Sequence, residues 1–140
     1  MTDELYHDAI MAHARAPRHA GPLPDADGRA TVDNPLCGDR VTVEVKLAGD
    51  RVAAIGQTVR GCALCQASAS MLADGALGGG PAEVAVARDT IKAMLRNAAP
   101  PPDGRWSAFA AFLPARPATS RHECVLLPFL AFERALATPA

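Results

Sequence analysis

The sequence has no long apolar run, no surplus of charge of either sign and few aromatic residues, and each shortage removes a class of function. No stretch approaches the roughly 20 apolar residues that a membrane span requires. Fourteen Lys and Arg stand against fifteen Asp and Glu, a formal net charge of -1, so nothing suggests a nucleic-acid binder working through excess positive charge. The N-terminus, Met1-Thr2-Asp3-Glu4, is acidic where a secretory signal carries basic residues and then an apolar core. A cytoplasmic protein is expected, with neither membrane nor nucleic acid as partner. Cysteine is scarce too, at four in 140 residues. In a reducing compartment these four are free thiols or metal ligands rather than a disulfide framework.

Hydrophobic periodicity supplies the elements. Asp3 to Ala16 places Tyr6, Ile10 and Ala14 at helical spacing, with Thr2 or Asp3 able to cap and Pro17 closing the helix. Arg18 to Asp27 is rich in Pro, Gly and Asp and reads as a loop, followed by a short strand over Arg29 to Val32. Arg40 to Leu47 alternates Val41, Val43, Val45 and Leu47 with polar residues, the period of a strand with one buried face. Ala48-Gly49-Asp50 turns the chain into a second alternation over Arg51 to Arg60, giving an antiparallel hairpin. Helices are expected over Cys62 to Leu77, ended by Gly78-Gly79-Gly80-Pro81, and over Glu83 to Asn97, broken by Pro100-Pro101-Pro102. A short helix over Trp106 to Phe112 and a variable Pro/Arg loop lead to a last helix from near Cys124, with Pro128 in or near its first turn. Trp106, Phe109, Phe112, Phe129 and Phe132 are most simply core. The whole reads as one α+β domain over residues 1–140, a small antiparallel sheet of about three strands packed by helices.

The chemistry gathers at element junctions. Cys37-Gly38-Asp39 lies on a loop before a strand, with Gly38 free to bend both side chains to one side. Thiolate and carboxylate are both zinc ligands. Cys62 and Cys124 stand near expected helix N-termini, where the amides and the dipole favour thiolate. Three cysteines and an aspartate could therefore meet at one tetrahedral centre; the alternative is that each is a small packed hydrophobe.

The residues that carry these features resemble one family, the iron-sulfur cluster assembly scaffolds IscU, NifU (its N-terminal domain) and SufU. The resemblance spans the chain. It rests on Leu5-Tyr6 with Ala16-Pro17-Arg18, on Asn34-Pro35-Leu36-Cys37-Gly38-Asp39-Arg40, on Arg60-Gly61-Cys62 with Ala67-Ser68-Ala69-Ser70-Met71, and on Cys124 before a terminal helix. Arg40 and the long segment between Cys62 and Cys124 look closest to the SufU branch. Where IscU proteins carry a histidine just before the last cysteine, this chain has Glu123, with His122 one residue earlier. The resemblance implies that Cys37, Asp39, Cys62 and Cys124 hold zinc or a [2Fe-2S] cluster. It also implies that sulfur arrives from a cysteine desulfurase on Cys37, with Cys124 as the alternative acceptor, and passes to recipient apoproteins or carrier proteins. Such a protein is a scaffold or sulfurtransferase-type acceptor rather than an enzyme in its own right.

Other residues weigh less. Cys65 completes Cys62-Ala63-Leu64-Cys65 and is either a spare ligand, a resolving thiol of a redox pair, or, by preference, a packed small side chain. Arg121 is the first choice among the arginines for screening thiolate charge or contacting a desulfurase, and ligation by His122 is the minor option against a surface position. His7, His13 and His19 are expected to be solvated, and Ser68 and Ser70 have no histidine partner in sequence. A structural zinc module serving protein binding is the alternative of a different class, and a thiol oxidoreductase using Cys62 and Cys65 is the weakest.

Overall fold

The computed structural model describes residues 8–16, 19–35 and 38–140. Thr2, Asp3, Tyr6, His7 and Pro17, on which the start and stop of the first helix were read, lie outside the described residues, as does Cys37. Within them, helix α1 runs Asp8–Arg15 and buries Ile10.

Three strands form one antiparallel sheet in the order β1-β2-β3: β1 Gly28–Asn34, β2 Asp39–Ala48 and β3 Arg51–Arg60. Val41, Val43 and Val45 are fully buried on one face of β2, as the alternation dictates. The register pairs Val41 with Val59 and Val45 with Ile55, and shifts at Lys46/Leu47 just before the turn. β1 is longer than the Arg29 to Val32 reading. Its pairing continues to Asn34 opposite Asp39, and its start is tied to the C-terminus by a Gly28 to Pro139 bridge and by the Arg29 N–H donating to Thr138 O.

The second layer is helical: α2 Ala63–Ala76, α3 Pro81–Arg96 and α4 His122–Ala137, with 3-10 turns over Gly104–Ala115 and Thr119–Arg121. Gly80 caps α3 and Pro81 opens it, where the missing proline N–H costs nothing. The segment around Trp106 is 3-10 rather than α, and it extends through Pro114, a residue that cannot donate to an α-type ladder. Its aromatic residues do form core: Phe109, Phe112, Phe129 and Phe132 are fully buried, and Phe109 lies 5.5 Å from Phe129 between ring centroids. Each such burial contributes about 1.5–3 kcal/mol before entropy is counted. This is the α+β architecture the periodicity predicts.

α4 packs on α2, α3, β1 and β2 and so spans the molecule. Pro128 stands well inside it, not in the first turn. Pro128 has no N–H to donate to the carbonyl four residues earlier, and the helix continues through it. The C-terminal end of α4 is fixed: a Cβ on Gly28 would overlap the backbone of Ala135. Gly28→Ala is therefore expected to cost about 1–3 kcal/mol through overpacking, read as a lower denaturant midpoint with an unchanged slope. An unchanged midpoint would show that β1 and α4 are not in fixed contact there.

Candidate metal centre

Three junctions converge at one end of the sheet. Asp39 opens β2, Cys62 is the N-cap residue of α2 directly after β3, and Cys124 lies in the first turn of α4. Their ligand atoms, one carboxylate oxygen and two sulfurs, all lie within 4.8 Å of one another. Asp39 is 2% exposed and Cys124 fully buried, whereas Cys62 is half-buried and faces the opening.

Local backbone chemistry aims these groups. Gly38 has φ +77°, the left-handed region that glycine enters without penalty, and its N–H donates to Asn34 O at 2.8 Å, joining the described flanks on either side of residues 36–37. The Asp39 carboxylate then reaches across the hairpin to accept the Cys62 N–H on Oδ1 at 3.1 Å, while Cys62 Sγ lies 3.9 Å from Oδ2. Gly61 permits that approach, since a Cβ there would stand 2.6 Å from Asp39 Oδ1. On the helical side, buried Ser68 of α2 donates to Val125 O of α4 at 2.5 Å and holds the Cys62 and Cys124 helices in register.

The two sulfurs share a proton. Cys62 is pushed down to about 6, first by a hydrogen bond with Cys124 and then by the first-turn amides of Cys65 and Leu64, against opposing burial. Those amides act on the sulfur without closing a cap hydrogen bond. Cys124 is raised, because its proton bridges to the Cys62 thiolate and its surroundings are apolar. The first thiolate of the pair thus belongs to the more accessible sulfur.

These donors fit a small thiophilic cation. A tetrahedral zinc places sulfurs at about 2.3 Å and oxygen at about 2.0–2.2 Å, hence donors roughly 3.5–3.8 Å apart, a slight contraction of the present set. Asp39, Cys62 and Cys124 supply three positions of a mixed sulfur and oxygen site.

The remaining sequence readings fall elsewhere. Cys65 is fully buried in the core, so what it lends the site is its amide, not its sulfur. His122 is not on the surface: it is 3% exposed, and its Nε2 donates to Ala115 O at 3.1 Å and Arg116 O at 3.0 Å, two carbonyls at the end of the longer 3-10 segment. Arg121 precedes α4 and is half-buried. Arg40 is turned to Asp33 at 2.7 Å, and Glu123, in the place of the family histidine, pairs with Arg96. His13 is not solvated either. Its Nδ1 lies 2.7 Å from Oγ of Ser70, which is fully buried, so Ser70 does have a histidine partner, brought by the fold across 57 positions. Sequence reasoning had no signal for this pair, because His13 and Ser70 sit on helices whose packing alone aligns them.

In metal-stripped protein, iodoacetamide should label Cys62 with a half-maximal rate near pH 6, falling away below it as the thiolate is protonated. Buried Cys65 and Cys124 should stay unlabelled while the fold is intact. Peptide mapping that finds Cys62 titrating near the ordinary value of about 8.5 would contradict the shared-proton pair.

Comparison with known proteins gives the family. The family described as NifU-like N terminal domain matches residues 5–112. An iron-sulfur cluster assembly scaffold protein IscU of Archaeoglobus fulgidus is 36% identical over 74 residues, 53% of this chain and 48% of that protein. The zinc-dependent sulfurtransferase SufU of Bacillus subtilis is 36% identical over 70 residues, 50% of this chain and 47% of its own length. The chain thus spans about half the length of the curated relatives it matches. The crystal structure of a nitrogen-fixing NifU-like protein (N-terminal) from Brucella abortus superposes with a TM-score of 0.92 at 34% identity, covering 97% of this chain and 94% of that one. With a family match over most of its length and a structural relative at that identity, the chain belongs to the NifU-like N-terminal domain family, with IscU and SufU among its relatives.

Proposed function

We propose that the chain is an iron-sulfur assembly scaffold of the sulfur-acceptor kind, working in the cytoplasm with a cysteine desulfurase and passing sulfur or cluster to recipient apoproteins or carriers. The observation that carries this reading is the convergence of Asp39, Cys62 and Cys124 at one end of the sheet, with Cys124 part of the buried core and Cys62 packed against it. Cys37 completes the set. It is two residues from Asp39, and two residues of chain reach at most about 7 Å, which bounds its distance from that ligand.

Zinc is the resident metal in this reading, and an iron-sulfur cluster is the cargo of the same four residues. Bound there, the metal would keep thiolates deprotonated at neutral pH. The acceptor step belongs to Cys37. Its thiolate attacks the outer sulfur of the desulfurase persulfide, the sulfur-sulfur bond breaks, and the desulfurase cysteine leaves as thiolate. Cys37 then carries the persulfide. Burial of Cys124 argues against it as the alternative acceptor, since an incoming persulfide needs access. Asp39, a harder ligand than the thiolates, leaves the centre easier to open than four sulfurs would. The Cys62 N–H holds that carboxylate in place while Cys37 is engaged elsewhere.

Sulfide release by a cognate desulfurase, with cysteine and a reductant, tests the reading on a panel of single variants. Wild type should stimulate release, Cys37→Ser should lose at least about ten-fold of that stimulation, and Cys65→Ser should retain it. Equal stimulation by Cys37→Ser would overturn the assignment. Loss in Cys65→Ser would favour a Cys62 and Cys65 redox pair instead. Loss of helical circular dichroism on chelation, with no stimulation by the wild type, would favour a structural zinc module.

A further inference from the structure

A second feature lies on the outer edge of β3, away from the metal ligands. Gln57 of β3 is 4% exposed and its Nε2 donates to Ala69 O of α2 at 2.6 Å, but its Oε1 has no hydrogen-bond partner among the described residues. A buried acceptor left unpaired is costly, and native structures retain few of them. Gln57 forms one wall of a cleft of about 250 Å³ between the β3 edge and α2, with Val59, Gln66, Ala69, Ala20 and Gly21 around it.

The same edge has unused backbone. The Gln57 N–H donates to His19 O at 3.1 Å and its carbonyl accepts from the Gly21 N–H at 2.7 Å, so residues 19–21 cap the sheet edge at Gln57 alone. Backbone direction alternates along a strand, and no register shift falls between Gln57 and Arg60. The N–H and carbonyl of Val59 therefore face the same way as those of Gln57, outward, and neither has a partner among the described residues. A short open strand edge beside a half-apolar cleft with an unpaired acceptor in its wall is the geometry that adds a strand from another chain.

We propose that this edge binds an extended peptide segment of a partner protein, whose backbone pairs with Val59 and whose side chain donates a hydrogen bond to Gln57 Oε1. The side-chain class is an amide or hydroxyl donor, such as Asn, Gln, Ser or Thr. A charged ammonium would lose its hydration in a cleft walled by Val59, Ala69 and Ala20. Val59 is three residues before Cys62, about 10 Å along an extended chain, so a segment seated here would tether its protein within reach of the metal centre. The proposal uses none of the metal ligands, and its failure would leave the sulfur-acceptor reading standing.

The test titrates full-length, isotope-labelled protein with two blocked pentapeptides, Ac-Lys-Val-Asn-Val-Lys-NH2 and its counterpart with Leu for Asn. The Asn peptide should bind about ten-fold more tightly, slow hydrogen exchange at the Val59 amide, and lose its advantage in Gln57→Met. Val59→Pro, whose missing N–H faces away from β2, should abolish binding of both peptides while leaving the fold intact. Equal affinities, no binding of either peptide, or an Asn preference that persists in Gln57→Met would overturn the proposal. So would Val59 protection that rises with protein concentration alone, which would give the edge to a second copy of this chain.

Discussion

The hydrogen bond from the Cys62 N–H to the Asp39 carboxylate joins the start of β2 to the end of β3 and the beginning of α2. Everything at the metal end depends on that span. Without it, the buried Asp39 carboxylate would lose its backbone N–H donor, and a buried polar group short of hydrogen bonds is costly. Gly61 makes the approach possible by having no Cβ to block it. Ser68 then ties the Cys62 helix to the neighbouring Cys124 helix, so that strand and two helices bring their donors together. These are contacts of a packed core, and Gly38 is tied back to Asn34 by its N–H.

In the proposed function an acceptor and a holder share one site. Accessibility falls from Cys62 to Cys124, and the proton shared by their sulfurs stays with the buried one. Charge is thus presented at the opening and withheld at the back. Of the arginines nearest the site in sequence, Arg40 is committed to Asp33.

Much of this was legible in the sequence, for definable reasons. The alternation of Val41, Val43 and Val45 can only be satisfied by a strand with one buried face, and Gly78 to Pro81 can only end one helix and begin another. Element junctions are where glycine and proline show themselves, and the candidate ligands sit at junctions, so the site was visible as a set of positions. What could not be read was long-range. Nothing local says that His13 meets Ser70, that the start of β1 is tied to the C-terminus, or that His122 turns inward to serve two carbonyls. Pro114 and Pro128 also misled in opposite directions. The first holds a longer segment in 3-10 form than helix propensity suggests, and the second is tolerated deep inside α4, where packing on four elements outweighs one lost hydrogen bond.

The central claim is that one centre is built from three sulfurs and one oxygen. X-ray absorption at the zinc edge of the zinc-loaded protein tests it most directly. The account predicts three sulfur neighbours at about 2.3 Å and one oxygen at about 2.0–2.2 Å, with one sulfur fewer in Cys37→Ser. A spectrum unaltered by Cys37→Ser, or a first shell without oxygen, would contradict it.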